Sequence, residues 1–486
     1  MSAVENVVIE LTELETQLFD ILKAVLAKYE CKTTLRVAGG WVRDKVLGKQ
    51  NEDIDITTDN VTGREFAEKV VEYYAETHAE QHRVAVIRAD PEKSKHLECA
   101  RIHILGIWVD FVNLRSEEYN EASRIPTVKF GTPLQDAERR DLTMNALFYN
   151  INTGMVEDFL HRGLDDLRAG LIRTPLEPTQ TFRDDPLRML RVARFASRFK
   201  FQIHDSIFES MKDSSLLPKL RDIVSQERIT HEAQLMLEHP NCQLGINTLV
   251  SLGLHTAVIP LPDAWRGYEP RVERAFDGLA MLTTELSSLW TGSASELRLG
   301  VSLSAILHPV YGTTTLARMG KKMKETSAVT AVLRDIKMSN REISLVEDIL
   351  ARAAALAGLD MSRLTRGGVG AVLCGMTNDF KHGLIVPALA LSRVTLSTQE
   401  YAGLLEFIIS QHLCSAPGLR VPVNTKELVS LCGLVWGKPV FKVLPALQRR
   451  VLAEVFEARV DEASDREEAF RMMIERCGAE LAQGLE

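Results

Sequence analysis

No CxxC pair occurs in this chain, and its seven cysteines (Cys31, Cys99, Cys242, Cys374, Cys414, Cys432 and Cys477) are scattered and odd in number. Such spacing offers neither a zinc knuckle nor a redox pair, and an odd count cannot close into a full disulfide framework. Reduced thiols in a cytosolic setting are expected. No apolar run approaches the roughly 20 residues of a membrane span. The opening MSAVENVVIELTELE is acidic and has no apolar block. It reads against a transit or signal peptide and for a cytoplasmic location, nuclear or organellar copies being left open. Positive charge is not in excess: the net charge is −8. Any nucleic-acid surface is therefore a local basic patch rather than a bulk field. Internal repeats and low-complexity tracts are missing as well. What remains is 486 residues, 45% hydrophobic, enough for two to four domains and a sizeable core.

The most informative stretch is 35–56, LRVAGGWVRDKVLGKQNEDIDI. It predicts strand, glycine turn, short helix, loop and strand. Gly39 and Gly40 leave backbone N–H groups open to a ligand that a Cβ would block. A helix over 41–47 points its unpaired N–H groups and positive dipole end at that turn, an anion site suited to a polyphosphate. Arg43, one turn in, adds a planar fork to the same phosphates. Asp53 and Asp55 alternate with Ile54 and Ile56. On a strand, residues i and i+2 share a face about 6.6 Å apart, so both carboxylates look toward the phosphate site while the isoleucines enter the core. Hard oxygen ligands beside a phosphate cradle are what Mg²⁺, or Mn²⁺ in its place, requires. Two such ions would activate a hydroxyl and stabilise a leaving pyrophosphate. Taken singly, the glycines are a turn and the acids a solvated face; their conjunction carries the reading.

Around this stretch, 5–30 reads as an amphipathic covering helix (Val8, Leu11, Leu14, Leu18, Ile21, Leu22, Val25, Leu26). Residues 63–79 read as a helix with Phe66, Val70, Val71 and Tyr74 inward, and 84–87, 100–105 and 107–114 as strands with a Leu105-Gly106 turn. His78, His82, His96 and His103 lack metal spacing and read as structural or solvated. Asp110 is one acid in an apolar strand and needs a partner there, either an arginine or a metal ion. Residues 116–135 show no sustained period and carry Pro126, Gly131 and Pro133; a loop that long inside a compact domain usually means function. Residues 136–149, DAERRDLTMNALFY, predict a helix start and an amphipathic helix. There Arg139 and Arg140 suit triphosphate or sugar contacts, Arg140 foremost. Asp141 and Asn145, four apart, would read a ribose hydroxyl or hold the loop. Residues 156–167 form a hinge-like segment.

Residues 181–199 read TFRDDPLRMLRVARFASRF. Asp185 before Pro186 is a helix-start signal. Asp185 and Arg188 also share one helix face at i, i+3. Asp offers only acceptors and Arg only donors. Cytosine and adenine present an amino donor beside a ring-nitrogen acceptor, whereas uracil and guanine present the reverse order. One Asp–Arg pair thus accepts C and A, and meets U and G with acceptor against acceptor and donor against donor, at about 1–3 kcal/mol for each unsatisfied group. That is base selection without a nucleic-acid template. Arg191 and Arg194 continue the helix at three-residue spacing as a slanting stripe.

These motifs resemble the nucleotidyltransferase superfamily, and GGWVRDKVLG before DID resembles the class II tRNA nucleotidyltransferases, the CCA-adding enzymes, in particular. Arg139-Arg140-Asp141-Leu142-Thr143-Met144-Asn145-Ala146 is similar to the family's RRD-x-T-x-NA motif. Asp184-Asp185-Pro186-Leu187-Arg188 is similar to its (E/D)DxxR motif, with Asp184 where many members have Glu. The resemblance implies that Asp110 is the third metal carboxylate beside Asp53 and Asp55. It implies that 116–135 is a flexible loop that repositions the site between nucleotides, and that Arg191 and Arg194 are further nucleotide-binding arginines. Residues 225–232 resemble the last family motif, in which Glu227, Arg228 and Glu232 brace the base-reading helix from behind, as Asp184 does. His204-Asp205 lacks the partners of a metal phosphohydrolase and reads as surface.

The resemblance is strong over 35–235 and weak beyond, where Trp436-Gly437 echoes a family element. From about 236 the pattern is helical, with breaks expected at 260–270 and 358–370. A basic cluster at 321–324, near Arg318, is a candidate RNA-phosphate contact or a solvated patch. The expected fold is α+β: a nucleotidyltransferase-type head with a small mixed sheet (1–150), then an all-helical neck (151–235), body (236–357) and tail (358–486). The expected activity is addition of CCA to tRNA from CTP and ATP with Mg²⁺, the helical part gripping the acceptor and upper stem. Rival readings are a poly(A) polymerase, a CC-only or A-only enzyme, and an RNA-binding protein without catalysis.

Overall fold

The computed structural model describes residues 7–78, 83–87, 99–120, 123–319, 322–374, 384–418, 425–434 and 438–483. His82, His96, Lys321 and Trp436-Gly437 lie outside them. Two compact units emerge: Met1–Glu232 with Thr248–Ala257, and Ala233–Asn247 with Val258–Glu486.

The first unit begins with α1 (Glu13–Lys28), set by a Thr12/Glu15 capping box. It is shorter than the helix expected over 5–30: residues 7–12, with Val8 and Leu11, precede it, and its buried apolar face is Leu18, Phe19, Leu22, Val25 and Leu26, while Leu14 stays exposed. Then come β1 (Arg36–Ala38), α2 (Gly40–Val46), β2 (Ile54–Thr58), α3 (Gly63–His78), β3 (Ala85–Ile87), β4 (Cys99–Ile104) and β5 (Ile107–Asn113). These follow the sequence expectations within a residue or two. With β8 (Phe148–Asn150) and β9 (Met155–Glu157), which come after β6 (Arg115–Asn120), β7 (Ser123–Phe130) and α4 (Pro133–Glu138), they build a seven-stranded sheet in the order β3-β4-β5-β2-β1-β8-β9. All its pairings are antiparallel except β2 with β5. Trp41 is fully buried and packs on Phe19 and Tyr149, with ring centroids 5.9 and 5.6 Å away, while its Nε1 donates to Glu15 Oε1 at 2.9 Å. A large apolar ring with one satisfied polar tip thereby fixes α2 against the sheet.

Two local expectations are corrected. Residues 116–135 are not an irregular loop: β6 and β7 form an antiparallel hairpin with a register shift between Glu118 and Asn120. Cross-strand pairing supplies the regularity that single-sequence period did not reveal. Residues 136–149 are not one helix. Helix α4 opens earlier, on a Thr132/Gln135 capping box, and ends at Glu138; a 3-10 turn at Thr143–Asn145 follows, and then β8. Tertiary demand overrides helical propensity here, because Phe148 enters the sheet core as the cross-strand partner of Ala38.

The unit continues through α5 (Gly163–Ala169), β10 (Leu171–Ile172), α6 (Pro178–Asp184), α7 (Leu187–Phe199), β11 (Gln202–Ile203), α8 (Asp205–Ser210), α9 (Leu216–Ile223) and the start of α10 (Gln226–Leu237). His204 caps α8 by accepting from the Ser206 N–H. The second unit is mostly helical, with a core that includes Tyr401, Phe456 and Phe470. A buried Arg366–Asp461 pair crosslinks it. Its one strand pairing among the described residues is antiparallel, Thr314–Met319 with Lys322–Ser327, and carries the described part of the basic cluster. The 260–270 segment holds a short helix, Pro262–Trp265, and the start of Tyr268–Met281.

Candidate active site

Gly39 holds a left-handed backbone, φ +77°, and its N–H donates to the Leu147 carbonyl. A Cβ there would stand 2.8 Å from Arg140 Nη1. The turn is therefore glycine for two reasons: backbone conformation and the guanidinium laid against it. Gly39 and Gly40 form one wall of a cavity of about 410 Å³. Of the residues singled out from the sequence, Arg43, Asp53, Asp55, Arg139, Arg140, Asp141, Asn145, Asp185, Arg188 and Arg191 also line it. Asp110, Asp184, Arg194, Glu227, Arg228 and Glu232 stand outside the lining.

The acids are gathered by strand register. Asp55 pairs directly with Asp110 across the parallel β2–β5 ladder, and Asp53 precedes β2. One oxygen from each of the three carboxylates lies within 4.8 Å of the others. Burial, then the charges of Asp53 and Asp110, pushes the Asp55 carboxyl up to about 6. Three hard oxygen donors crowded enough to raise a carboxyl in this way fit a divalent cation, whose charge would relieve the repulsion. Asp110 meanwhile accepts from the Arg101 guanidinium through both oxygens. Of the two partners weighed for Asp110, an arginine is thus in place, and the metal-type cluster stands beside it.

The arginines are held by buried acids. Asp136 is fully buried; its Oδ1 accepts from Arg139 Nε at 2.9 Å, and its Oδ2 from Arg140 Nε and Nη2 at 3.0 and 2.8 Å. Arg140 also donates to the Asn145 carbonyl, and Arg139 to Glu117. Arg43 is buried against Phe195 and Phe199, and donates to Asp44 and to Asn145 Oδ1. Asp141 accepts from the Leu142 N–H and Asn145 Nδ2 through Oδ1, and from Arg191 Nε through Oδ2. Burial would raise its carboxyl, but Arg191 and the amide of Asn145 hold it well below the ordinary value.

Between α6 and α7 the chain turns at Asp185-Pro186. Asp185 Oδ1 accepts the Leu187 N–H at 3.2 Å, and Oδ2 accepts from Arg228 at 3.3 Å. Arg188, one turn on, donates through Nη2 to the Arg139 carbonyl. A carboxylate has about four acceptor sites and a guanidinium five donors, so both groups keep capacity toward the cavity. Behind α7, Glu232 accepts from Arg191 Nη1 and from Arg194 Nε. Asp184 accepts from Gln180, and Glu227 is exposed.

Several contributors were not singled out from the sequence. Asp136 is signalled only by its i, i+3 and i, i+4 spacing to Arg139 and Arg140. Arg101 was legible from the Leu105-Gly106 turn, since counting outward pairs 104 with 107 and 101 with 110. Phe195 and Arg198 extend the α7 stripe into the cavity. Asn51 lines it from the loop before β2 and donates to Asp44.

The family model for the Poly A polymerase head domain matches residues 35–173, and that for the Probable RNA and SrmB- binding site of polymerase A matches 200–266. The mitochondrial CCA tRNA nucleotidyltransferase of Saccharomyces cerevisiae is 33% identical over 480 residues, spanning 87% of this chain and 87% of that protein. This chain belongs to the CCA tRNA nucleotidyltransferase family. A second family member, tRNA nucleotidyltransferase cca2 of Schizosaccharomyces pombe, is 30% identical over 458 residues, spanning 88% of this chain and 92% of its own. The fold agrees. A solved CCA-adding enzyme in complex with CTP aligns with a TM-score of 0.64 at 21% identity, over 97% of this chain and 96% of its own. The Thermotoga maritima CCA-adding enzyme in complex with tRNA gives 0.62 at 19%, over 96% of each.

Proposed function

We propose that this member of the CCA tRNA nucleotidyltransferase family adds C, C and A to the 3′ end of tRNA from CTP and ATP, with side chains in place of a template. The observation that carries the reading is one cavity lined by Asp185 and Arg188, by the Gly39-Gly40 turn and its arginines, and by Asp53 and Asp55. Asp185 and Arg188 read the Watson–Crick edge of C or A and reject U and G by unsatisfied polar groups. Gly39, Gly40, Arg43, Arg139 and Arg140 hold the triphosphate, the glycine turn by backbone N–H groups and the arginines by forks already oriented by Asp136 and Asp44. Asp141 and Asn145 brace Arg43 and Arg191, while Glu232 braces Arg191 and Arg194 and Arg228 braces Asp185. Asp53, Asp55 and Asp110 would hold Mg²⁺, two ions being expected and Mn²⁺ able to substitute. When bound, these ions supply Lewis acidity toward the RNA 3′-hydroxyl and the leaving pyrophosphate. The protein brings that hydroxyl in line with the α-phosphate and fixes the triphosphate, so catalysis is mainly positioning and charge stabilisation.

The division into head (1–150), neck (151–235), body (236–357) and tail (358–486) belongs to this proposal, with the helical part gripping the acceptor and upper stem. So does a cytoplasmic location, on the ground of seven free thiols; the S. cerevisiae relative is a mitochondrial protein by name. Among the described residues no helix is long and apolar enough to cross a membrane. The test is incubation with Mg²⁺ and a tRNA ending at its discriminator base, each nucleotide singly and then CTP plus ATP. Two C, then one A, then a stop is expected. An unbounded A tail would instead make it a poly(A) polymerase, and CC alone, or A only after CC, half of a split pair. Binding without incorporation would leave an RNA-binding protein.

A further inference from the structure

The registers of β4 with β5 and of β5 with β2 place Arg101, Asp110 and Asp55 in one cross-strand row. Cross-strand partners share a face of the sheet, so a cation and two carboxylates face the same side, with Asp53 adding a third. Arg101 Nε donates to Asp110 Oδ1 and its Nη2 to Oδ2. Both oxygens of Asp110 are thereby engaged by one planar fork, the arrangement in which arginine binds a carboxylate most firmly. The acid is the more enclosed partner: the Asp110 side chain is 13% exposed and that of Arg101 39%. The guanidinium also lies 5.9 Å from the ring of Trp108, which is exposed. The guanidinium thus sits between Asp110 and that exposed ring.

We infer that Arg101 is a positioning residue that latches Asp110. It neutralises and orients this carboxylate while the cluster holds no divalent ion, and it gives up at least one Asp110 oxygen when an ion is taken. The inference rests on the reading that Asp53, Asp55 and Asp110 are the metal ligands. Fork and ion compete for the same two oxygens, so the latch lowers the apparent affinity for the ion by what the pair is worth. For a partly exposed pair this is about three- to tenfold. In return, three like charges within 4.8 Å are kept from splaying the ends of β2 and β5 apart, and Asp110 is presented already in register with Asp55.

The test is a Mn²⁺ titration of the full chain without nucleotide or RNA, free Mn²⁺ being read by its paramagnetic resonance signal. Thermal melts with chelator and with Mn²⁺ accompany it. R101Q should bind Mn²⁺ about three- to tenfold tighter than the unaltered protein. It should also melt lower in chelator, with the deficit recovered by Mn²⁺. R101K should lie closer to R101Q than to the unaltered protein, because an ammonium is a point donor and leaves one Asp110 oxygen open. D110N should lose affinity. Unchanged or weaker Mn²⁺ binding by folded R101Q would overturn the latch while D110N still marked the acids as ligands. R101K with unaltered affinity beside a tighter R101Q would also overturn it, since field and not the fork would then be acting. D110N binding as the unaltered protein does would remove the ligand reading, and the latch with it.

Discussion

Asp136→Asn is the sharpest test of how the cavity is held. Asp136 is fully buried beneath both arginines of the RRD segment, and the Arg115 N–H reaches its Oδ1 as well. Asparagine keeps the shape but replaces one oxygen with an NH₂ group. Whichever way the amide lies, it aims donors at a guanidinium fork and removes the charge that Arg139 and Arg140 share. Those arginine side chains are 17% and 19% exposed, so water restores little of the loss. Removing one partner of such a buried pair costs about 3–5 kcal/mol. For a unit of roughly 150–250 residues that is a fall in Tm of about 6–20 °C. The triphosphate side should suffer too: with Arg140 no longer pinned against Gly39, KM for CTP and for ATP should rise by about tenfold or more, with kcat changed less. Circular dichroism melts and single-nucleotide kinetics read the two effects. A Tm within about 2 °C of the unaltered protein, with KM unchanged, would refute the claim that one buried carboxylate organises both arginines.

Asp185→Ala should lower kcat/KM for CTP and ATP by about 10–100-fold while narrowing the margin over UTP and GTP, read by incorporation from single nucleotides. Gly39→Ala meets both a left-handed backbone and Arg140 Nη1 at 2.8 Å; it should cost about 1–3 kcal/mol in chemical denaturation and raise KM for both nucleotides. Stability against pH should show two opposed slopes. Burial would raise the Asp136 and Asp141 carboxyls, but Arg140 and Arg139, and Arg191, hold them below the ordinary value. Their contribution is complete above the unfolded value of about 3.9 and is lost as pH falls through the lower folded values. Asp55 runs the other way, its carboxyl pushed up to about 6. In chelator its contribution is complete below about pH 3.9 and is lost as pH rises through about 6. Melts from pH 3 to 8 should show that second loss in chelator and not in saturating Mg²⁺.

Much of the head was legible because its signals are local. The glycine pair, the alternation of Asp53 and Asp55 with Ile54 and Ile56, and the Asp185-Pro186 break all sit within a few residues of what they determine. The β6–β7 hairpin was not legible, since its order comes from one strand pairing with the other and its own pattern does not alternate. The 136–149 segment misled for the opposite reason. It looks helical locally, but Phe148 is claimed by the sheet. Arg101 and Asp136 lay between: both were countable, one from a two-residue turn and one from helical spacing, yet neither carries a motif that draws the eye.

By itself, then, the amino-acid sequence determined which functional groups this protein carries: alternating acids on a strand, a glycine turn before a helix, and an Asp–Arg pair at helical spacing. Those follow from side-chain functional groups and short-range spacing. Only the tertiary structure decided how they meet. The parallel β2–β5 register sets Asp55 beside Asp110, the antiparallel β4–β5 register lays Arg101 across that acid, and a buried Asp136 holds Arg139 and Arg140, the latter against Gly39. Asp55 and Asp110, and Gly39 and Arg140, are far apart in the chain. Their geometry is set by strand pairing and core packing, which no local pattern encodes.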